Sequence, residues 1–336
     1  MPRKRSCAKI TFADVFYVLY LEQIFHALMS IAGTRTLTAG KLTWLDVHNP
    51  DLKVLQSLAK KYDFHELDIE DCLSEHQRSK VDEYDDYLFI ILHVPFYDKR
   101  TQKVLYEEVD FFVKNNLVIT VHWGGVKALT DFFEEVHAKP ALKTEVLKHS
   151  SGFVLYEIIS HLYSSAFPVL DILDRNLAGL EKAVFGLNQS QDMLREILKM
   201  KKNIITFRRV IGPQRQVVAL IEHKNKKFLP HSLEIYFDDV VDKIEKIWSN
   251  LENLKELTES LQETNESIIS HTTNNVIKTL TIFSVIMLPL TFVTSLYGMN
   301  IVLPLAAHPG AFGLLLGAML LIVVLMLGFF RYKRWI

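Results

Sequence analysis

The sequence predicts an α/β domain, a long stalk helix and two membrane-spanning helices, in that order. Three observations predict it. Residues 41–122 mix strand-like and helix-like patterns, no proline or glycine occurs from Ser232 until Pro289, and no Asp, Glu, Lys or Arg occurs from Thr279 to Phe330. Only His308 can titrate within that last stretch. Charge is therefore concentrated before Thr279, as expected for a soluble domain attached to a membrane segment. A chain of 336 residues has length for about two folding units. Its 38 basic and 39 acidic residues lack the basic excess of a nucleic-acid binder. Cys7 and Cys72 form neither a disulfide framework nor zinc-ligand spacing, which fits a reducing, cytosolic setting.

Residues 1–36 read as an extension of unassigned role. Arg3, Lys4, Arg5 and Lys9 precede an apolar stretch, Ile10 to Ile31, which Asp14 and Glu22 interrupt. Central acids are costly in lipid and no clean signal-peptide core is present, so an amphipathic or poorly ordered segment is expected. The α/β domain covers residues 37–150, beginning near Leu37. Lys41 to Val47 is a strand, and Asn49-Pro50-Asp51 supplies an N-cap and first-turn proline for a helix to about Tyr62. His65 to Leu73 is a short acidic helix. Tyr87 to Val94 is a β-rich run that Pro95 is expected to limit. Val109 to Val113 and Leu117 to His122 flank Lys114-Asn115-Asn116 as a hairpin.

After Val126 the pattern turns helical. Residues 151–231 form a helical hairpin, with apolar residues at three- and four-residue steps in Gly152 to about Phe185 and Gln191 to about Glu222, closed by Pro230. Residues 232–278 are the stalk. Ile244, Ile247, Leu251, Leu254, Leu261, Ile268 and Thr272 form a stripe suited to packing against copies of the same helix. At ~1.5 Å per residue, Ser232 to Tyr297 extends roughly 100 Å, too far for a compact domain. Residues 279–297 and 311–330 are each long enough for a ~30 Å hydrocarbon core. Lys278 flanks the first span, and Arg331, Lys333 and Arg334 of the tail, 331–336, flank the second. The positive-inside tendency places both termini in the cytoplasm and the loop 298–310 outside.

Tyr297-Gly298-Met299-Asn300 follows the first span directly. Long helix, proline-containing span, this tetrapeptide, short loop, second span and basic tail occur in the order that characterises the CorA family of magnesium and divalent metal ion transporters, which the chain resembles. The resemblance runs from about Leu42 to the C-terminus. It includes His76-Gln77-Arg78 with Lys80-Val81, the run Tyr84 to Leu92, and Asn275-Val276-Ile277-Lys278 through Met287-Leu288-Pro289-Leu290-Thr291-Phe292. It implies a homopentameric channel in the lipid of the inner (plasma) membrane, with the first spans lining the pore and the second spans outside them. It also implies Mg²⁺ as cargo, with Co²⁺ or Ni²⁺ as further candidates. A proton-coupled Zn²⁺ transporter of the ZntB type shares architecture and signature, and the sequence leaves that alternative open.

The residues support a pore independently. Asn274, Ile277, Thr281, Ser284, Leu288, Thr291, Ser295 and Gly298 fall along one helix face. Mg²⁺ sheds water reluctantly and prefers octahedral oxygen coordination. A ring of Asn300 carboxamides in a Gly298-Met299-Asn300 filter can hydrogen-bond the waters of a hydrated ion and still release it. Aliphatic rings at Ile277, Leu280 or Leu288 can close by dewetting. The competing reading is that these polar residues only mediate helix packing.

A second site follows from the resemblance. It implies that Asp71, with Glu70 beside it, meets Asp239 of a neighbouring subunit, and that intracellular Mg²⁺ bridges the two and favours the closed state. By composition alone, Glu70-Asp71 and Asp238-Asp239 read as solvated surface. Ser79 stands where many relatives have proline, and Ser164 and Ser165 replace a carboxylate region of some relatives, which removes support for a second metal site. The loop Ile301 to Gly310 has no acid. No enzyme is expected: His65-Glu66 begins like a zinc-protease helix, but Ile69 takes the place of the second histidine, and phosphate-loop and nucleophile-elbow motifs are absent. A membrane-anchored coiled-coil sensor or scaffold explains stalk and spans but not the tetrapeptide.

Overall fold

The computed structural model describes residues 33–74, 77–186, 192–224, 231–299 and 310–335. The extension up to residue 32, His76, Gln191, Pro230, Asn300 and the loop from Ile301 to Pro309 lie outside them. The chain divides into two units, Met1–Glu259 and Ser260–Ile336.

The first unit is built on a six-stranded sheet in the order β1-β2-β6-β5-β4-β3. The strands are β1 (Gly33–Ala39), β2 (Leu42–His48), β3 (Lys80–Glu83), β4 (Leu88–Asp98), β5 (Lys103–Lys114) and β6 (Leu117–His122). Only β2 and β6 pair in parallel; the other neighbours are antiparallel. The sheet begins at Gly33 rather than near Leu37, because β1 pairs with β2 along its whole length. Strand β3 was not expected from the sequence. Its Lys-Val-Asp-Glu has one apolar residue, and only pairing with β4 makes it a strand.

Pro95 does not end β4, which continues to Asp98. The reason lies in the two-residue alternation of a strand. The His93 N–H faces away from β5 and donates to Gln214 Oε1 at 3.2 Å. Pro95, two residues on, turns its ring nitrogen to that same side, beyond the end of β3, so no ladder bond is lost.

Helices cover both faces of the sheet. Helices α1 (Leu52–Tyr62) and α2 (Glu66–Leu73) lie on one face, with Leu55, Phe64, Ile69 and Cys72 packed among Phe89, Ile91, Phe112, Ile119 and Val121. Asp51, not Asn49, caps α1, accepting from Val54 N at 2.7 Å. Asn49 instead takes a left-handed φ of 48° and accepts from Gly124 N at 2.6 Å. The opposite face carries α3 (Lys127–Ala138), the short α4 (Pro140–Val146), α5 (Ser151–Ser164), α6 (Phe167–Val184) and α7 (Met193–Lys224). Trp44 meets Phe132 and Phe133 of α3 with ring centroids 5.8 and 4.9 Å away. The expected first arm of the hairpin is two helices, because Pro168 opens a new first turn after the Ser165-Ala166 break. The α5–α6 run is apolar enough to span a membrane by composition, yet 56% of its apolar window is buried inside the fold, so it is core.

One buried polar cluster joins strands to helix. Asp46 is fully buried and accepts from Thr120 Oγ1 at 2.6 Å and from Arg35 Nε at 3.1 Å, with His122 Nε2 3.3 Å away. Arg35 also reaches Glu134 of α3 at 2.8 Å. Burial works to raise the Asp46 pKa, but the bonds from His122, Thr120 and Arg35 lower it overall.

Helix α8 (Glu234–Tyr297) is a single helix of 64 residues that runs from the first unit into the second. Its stripe Phe237, Val240, Ile244, Ile247, Leu251 and Leu254 is buried within the chain. The expected self-packing stripe is thus covered within the chain at Ile244, Ile247, Leu251 and Leu254, against α7, and Leu261 is buried too, whereas Ile268 is half-buried and Thr272 exposed. Trp248 lies between Arg208 and Arg215 of α7, with guanidinium-to-ring distances of 5.0 and 4.9 Å. Arg215 is paired to Glu245 at 2.6 Å, and Arg208 to Glu252. A Cβ at Gly212 would meet the Trp248 ring at 3.3 Å, so the missing side chain gives the indole its room.

In the second unit, the end of α8 and α9 (Ala311–Tyr332) are long and apolar enough to cross a membrane, and 0% of either apolar window is buried. Partly covered residues form one stripe on each: Ile282, Ile286, Pro289, Leu290 and Val293 on α8, and Leu315, Met319, Ile322, Val323 and Met326 on α9. Lys278 Nζ donates to Arg334 O at 3.3 Å, so the start of the first span and the end of the second lie at one level.

Glu107 of β5 yields a pH prediction. Its carboxylate lies against Gly125, where φ is +103° and a Cβ would come within 2.7 Å of Oε1. Burial raises its pKa from 4.5 to about 7. A raised carboxyl pKa means full stability below the unfolded value and loss as pH climbs through the folded one. The full-length protein in detergent should therefore lose thermal stability between pH 4.5 and about 7. Glu107→Gln should flatten that decline, and equal slopes in the two proteins would refute the assignment.

Candidate pore face and carboxylate site

The expected pore residues sit where helix α8 is continuous, and Pro289 does not break it. Asn274, Ile277, Leu280, Ser284, Leu288, Thr291 and Ser295 are exposed in the single chain, and Thr281 is half-buried. At 3.6 residues per turn, this face points roughly 160° away from the stripe that is covered within the chain. Two aliphatic members are strongly exposed, Leu280 at 66% and Leu288 at 71%.

Three threonine hydroxyls on and beside this face are already committed as donors. Thr281 Oγ1 donates to Ile277 O at 2.8 Å, Thr291 Oγ1 to Met287 O at 2.8 Å, and Thr279 Oγ1 to Asn275 O at 2.9 Å. Back-bonding of this kind satisfies the proton and leaves the oxygen lone pairs outward, able to accept from water. The helix closes with Gly298 N donating to Thr294 O at 2.9 Å and Met299 N to Leu296 O at 3.3 Å. Gly298 and Met299 thus stand at the end of the exposed face.

Two of the three expected regulatory carboxylates, Asp71 and Asp239, are held by a lysine of the same chain. Asp71 pairs with Lys80 at 2.7 Å, and Lys80 also reaches Asp82 at 2.5 Å. Asp239 pairs with Lys243 at 2.6 Å, and Lys243 donates to Ser160 Oγ of α5 at 2.7 Å. Glu70 is exposed on the groove between α1 and α2, near Lys60 and Gln56. Among the described residues no group of three or more His, Cys, Asp or Glu side chains converges within the chain. Ser164 and Ser165 spend their hydroxyls on Ser160 O and Leu162 O, at 2.7 and 2.6 Å, at the end of α5.

The surroundings of Asp71 hold residues that the sequence reading missed. Asp110 on β5 is fully buried beside Cys72, with Oδ1 unpartnered, and burial pushes both groups well up, toward their neutral forms. Glu108 accepts from His93 Nε2 at 3.1 Å. The signal was an Asp inside Val109-Asp110-Phe111-Phe112-Val113, which strand patterning absorbed. Burial lowers the Lys80 pKa, but Asp71 and Asp82 outweigh it and raise it overall.

An α/β unit whose long helix ends in an apolar segment, followed by a second apolar helix, defines a stalked architecture with two segments long and apolar enough to cross a membrane. Residues 39–334 match the family described as CorA-like Mg²⁺ transporter protein, and the chain belongs to that family. It is 28% identical over 299 residues to the cobalt/magnesium transport protein CorA of Thermotoga maritima, covering 88% of this chain and 83% of that one. Its fold is similar to the complete CorA magnesium transporter of Methanocaldococcus jannaschii, with TM-score 0.78, 24% identity and coverage of 90% and 94%. The ZntB cytoplasmic domain of Vibrio parahaemolyticus shares the fold of the soluble part at TM-score 0.59 and 12% identity, over 72% of this chain and 100% of that one.

Lys80 is the cation on which this carboxylate group depends. Lys80→Gln should lower stability by about 1–2 kcal/mol at neutral pH, between the values for surface and buried pairs. The deficit should shrink below about pH 4, where the acids protonate and no longer repel. Thermal unfolding of the full-length variant at both pH values tests this, and an unchanged midpoint would contradict it.

Proposed function

We propose that the chain is one subunit of a homopentameric Mg²⁺ channel of the plasma membrane, with both termini cytoplasmic and intracellular Mg²⁺ favouring closure. The observation that carries this reading is the open face of α8, which leads to Gly298 and Met299 and is not the face covered within the chain. Two spans cannot enclose an aqueous path alone, so copies of α8 must face one another. Outward lone pairs at Thr281 and Thr291 suit a column of water around a hydrated cation, and Asn300 amides at the mouth hold its shell without stripping it. Exposed Leu280 and Leu288 become the dry constrictions of the closed state.

At the carboxylate site, Asp71 and Asp239 each already neutralise a lysine of their own chain. A divalent ion bridging subunits competes with those ammonium groups, which suits a sensor of abundant cytosolic Mg²⁺ rather than of a trace metal. The relatives named for cobalt and magnesium support the choice of ion. The fold likeness to the ZntB domain supports a second reading, proton-coupled Zn²⁺ transport.

Reconstituted protein should take up Mg²⁺ into liposomes with no requirement for a pH gradient, and Asn300→Ala should reduce uptake to near background while preserving the pentamer. Zn²⁺ uptake that depends on a proton gradient would select the second reading, and wild-type flux in Asn300→Ala would rule out the filter. Millimolar Mg²⁺ should also slow proteolysis of the cytosolic unit in wild type, but not in Asp71→Asn combined with Asp239→Asn. Equal digestion of wild type with and without the metal would mean that the acid pair does not sense it.

A further inference from the structure

The start of the first apolar segment and the end of the second carry a cluster of cations. Lys278 immediately precedes the first apolar run, and Arg331, Lys333 and Arg334 follow the second. The Lys278–Arg334 hydrogen bond at 3.3 Å brings both groups to one level. The tail is folded back: Arg334 takes a left-handed φ of 58°, Trp335 N donates to Phe330 O at 2.9 Å, and the Trp335 ring stacks on Phe330 at 5.7 Å.

None of these cations has a carboxylate partner among the described residues. The sequence has no Asp or Glu after Glu266. That residue lies roughly 18 Å of helix from Lys278, more than twice the ~8 Å screening length of physiological salt. Arg331, Lys333 and Arg334 are exposed, as is Trp335 at 42%. Just below them the flank of α9 is bare and apolar, with Phe329 57% and Leu325 63% exposed.

We propose that this collar is a binding site for the headgroups of anionic phospholipids, with Lys278, Arg331 and Arg334 holding the phosphate and Trp335 seated at the interface. Guanidinium groups bind phosphate oxygens in bidentate fashion, and the indole presents one apolar and one polar edge. A lipid satisfies both halves of the surface, because its acyl chains cover Phe329 and Leu325. Free phosphate matches only the cations. A headgroup held here ties the stalk-to-span junction at Lys278 to the tail after α9. The proposal rests on the membrane reading of α8 and α9.

The test uses full-length protein in phosphatidylcholine bilayers containing acyl-brominated phosphatidylglycerol or acyl-brominated phosphatidylcholine. Quenching of Trp335 is read as the difference between wild type and Trp335→Phe. Brominated phosphatidylglycerol should show a relative affinity about fivefold above that of the choline lipid. Lys278→Gln with Arg331→Gln and Arg334→Gln should bring the ratio near one, whereas Arg331→Lys with Arg334→Lys, which keeps the charge, should retain most of the preference. Equal quenching by the two lipids in wild type overturns the site while leaving membrane insertion intact. Absence of quenching by either lipid means instead that the membrane reading has failed. Loss of the preference in excess inorganic phosphate overturns the lipid assignment in favour of a soluble anion.

Discussion

Helix α8 joins two chemically different stretches along a single unbroken backbone. In the first unit its apolar stripe from Phe237 to Leu254 faces protein, and polar residues occupy the rest of its circumference. From Thr279 to Tyr297 the whole circumference becomes apolar or hydroxyl-bearing. A helix serves both surroundings because its backbone hydrogen bonds are internal, so only the side chains need change with the medium. Pro289 is tolerated for a related reason: it removes one N–H, and neighbouring bonds hold the helix on either side.

The grip of α7 on α8 rests on specific side-chain contacts. The Trp248 indole held between two arginines, each paired with a glutamate of α8, combines cation–π attraction with fixed charge geometry. Gly212 permits the approach. Further along, Lys243 links Asp239 to Ser160 of α5. Charge and packing therefore fix α8 to the sheet-bearing unit through side chains that have definite partners.

The same economy marks the carboxylates. Asp46 stays ionised in the interior because three donors surround it, while Asp110, with the Cys72 thiol as a weak donor and Oδ1 unpartnered, has its pKa pushed well up by burial. Asp71 lies between these extremes, half-shielded and matched by Lys80. A carboxylate that is already neutralised can exchange one cation for another at modest cost, whereas a bare buried one cannot. This distinction gives the proposed metal sensor a physical basis.

Much of this protein was legible in the sequence. Continuous absence of charge from Thr279 to Phe330 dictates two apolar helices whatever surrounds them, since unpaired charge in hydrocarbon is prohibitive. The absence of helix breakers from Ser232 onward dictates α8, and alternation dictates the β5–β6 hairpin. The Tyr297-Gly298-Met299-Asn300 string located the end of the candidate pore face. Other features depend on residues distant in sequence. Gln214 of α7 occupies the edge of β4 that lets Pro95 remain in a strand. Strand β3 exists only through its pairing with β4, and the burial of Asp110 only through the helix laid over it. The α8 stripe found its partner in α7, because periodicity specifies which face is apolar but not what will cover it. Local pattern thus determined the long helices and their apolar length, while tertiary contact decided the edge strand β3 and which charges are paired, because pairing depends on distance in space.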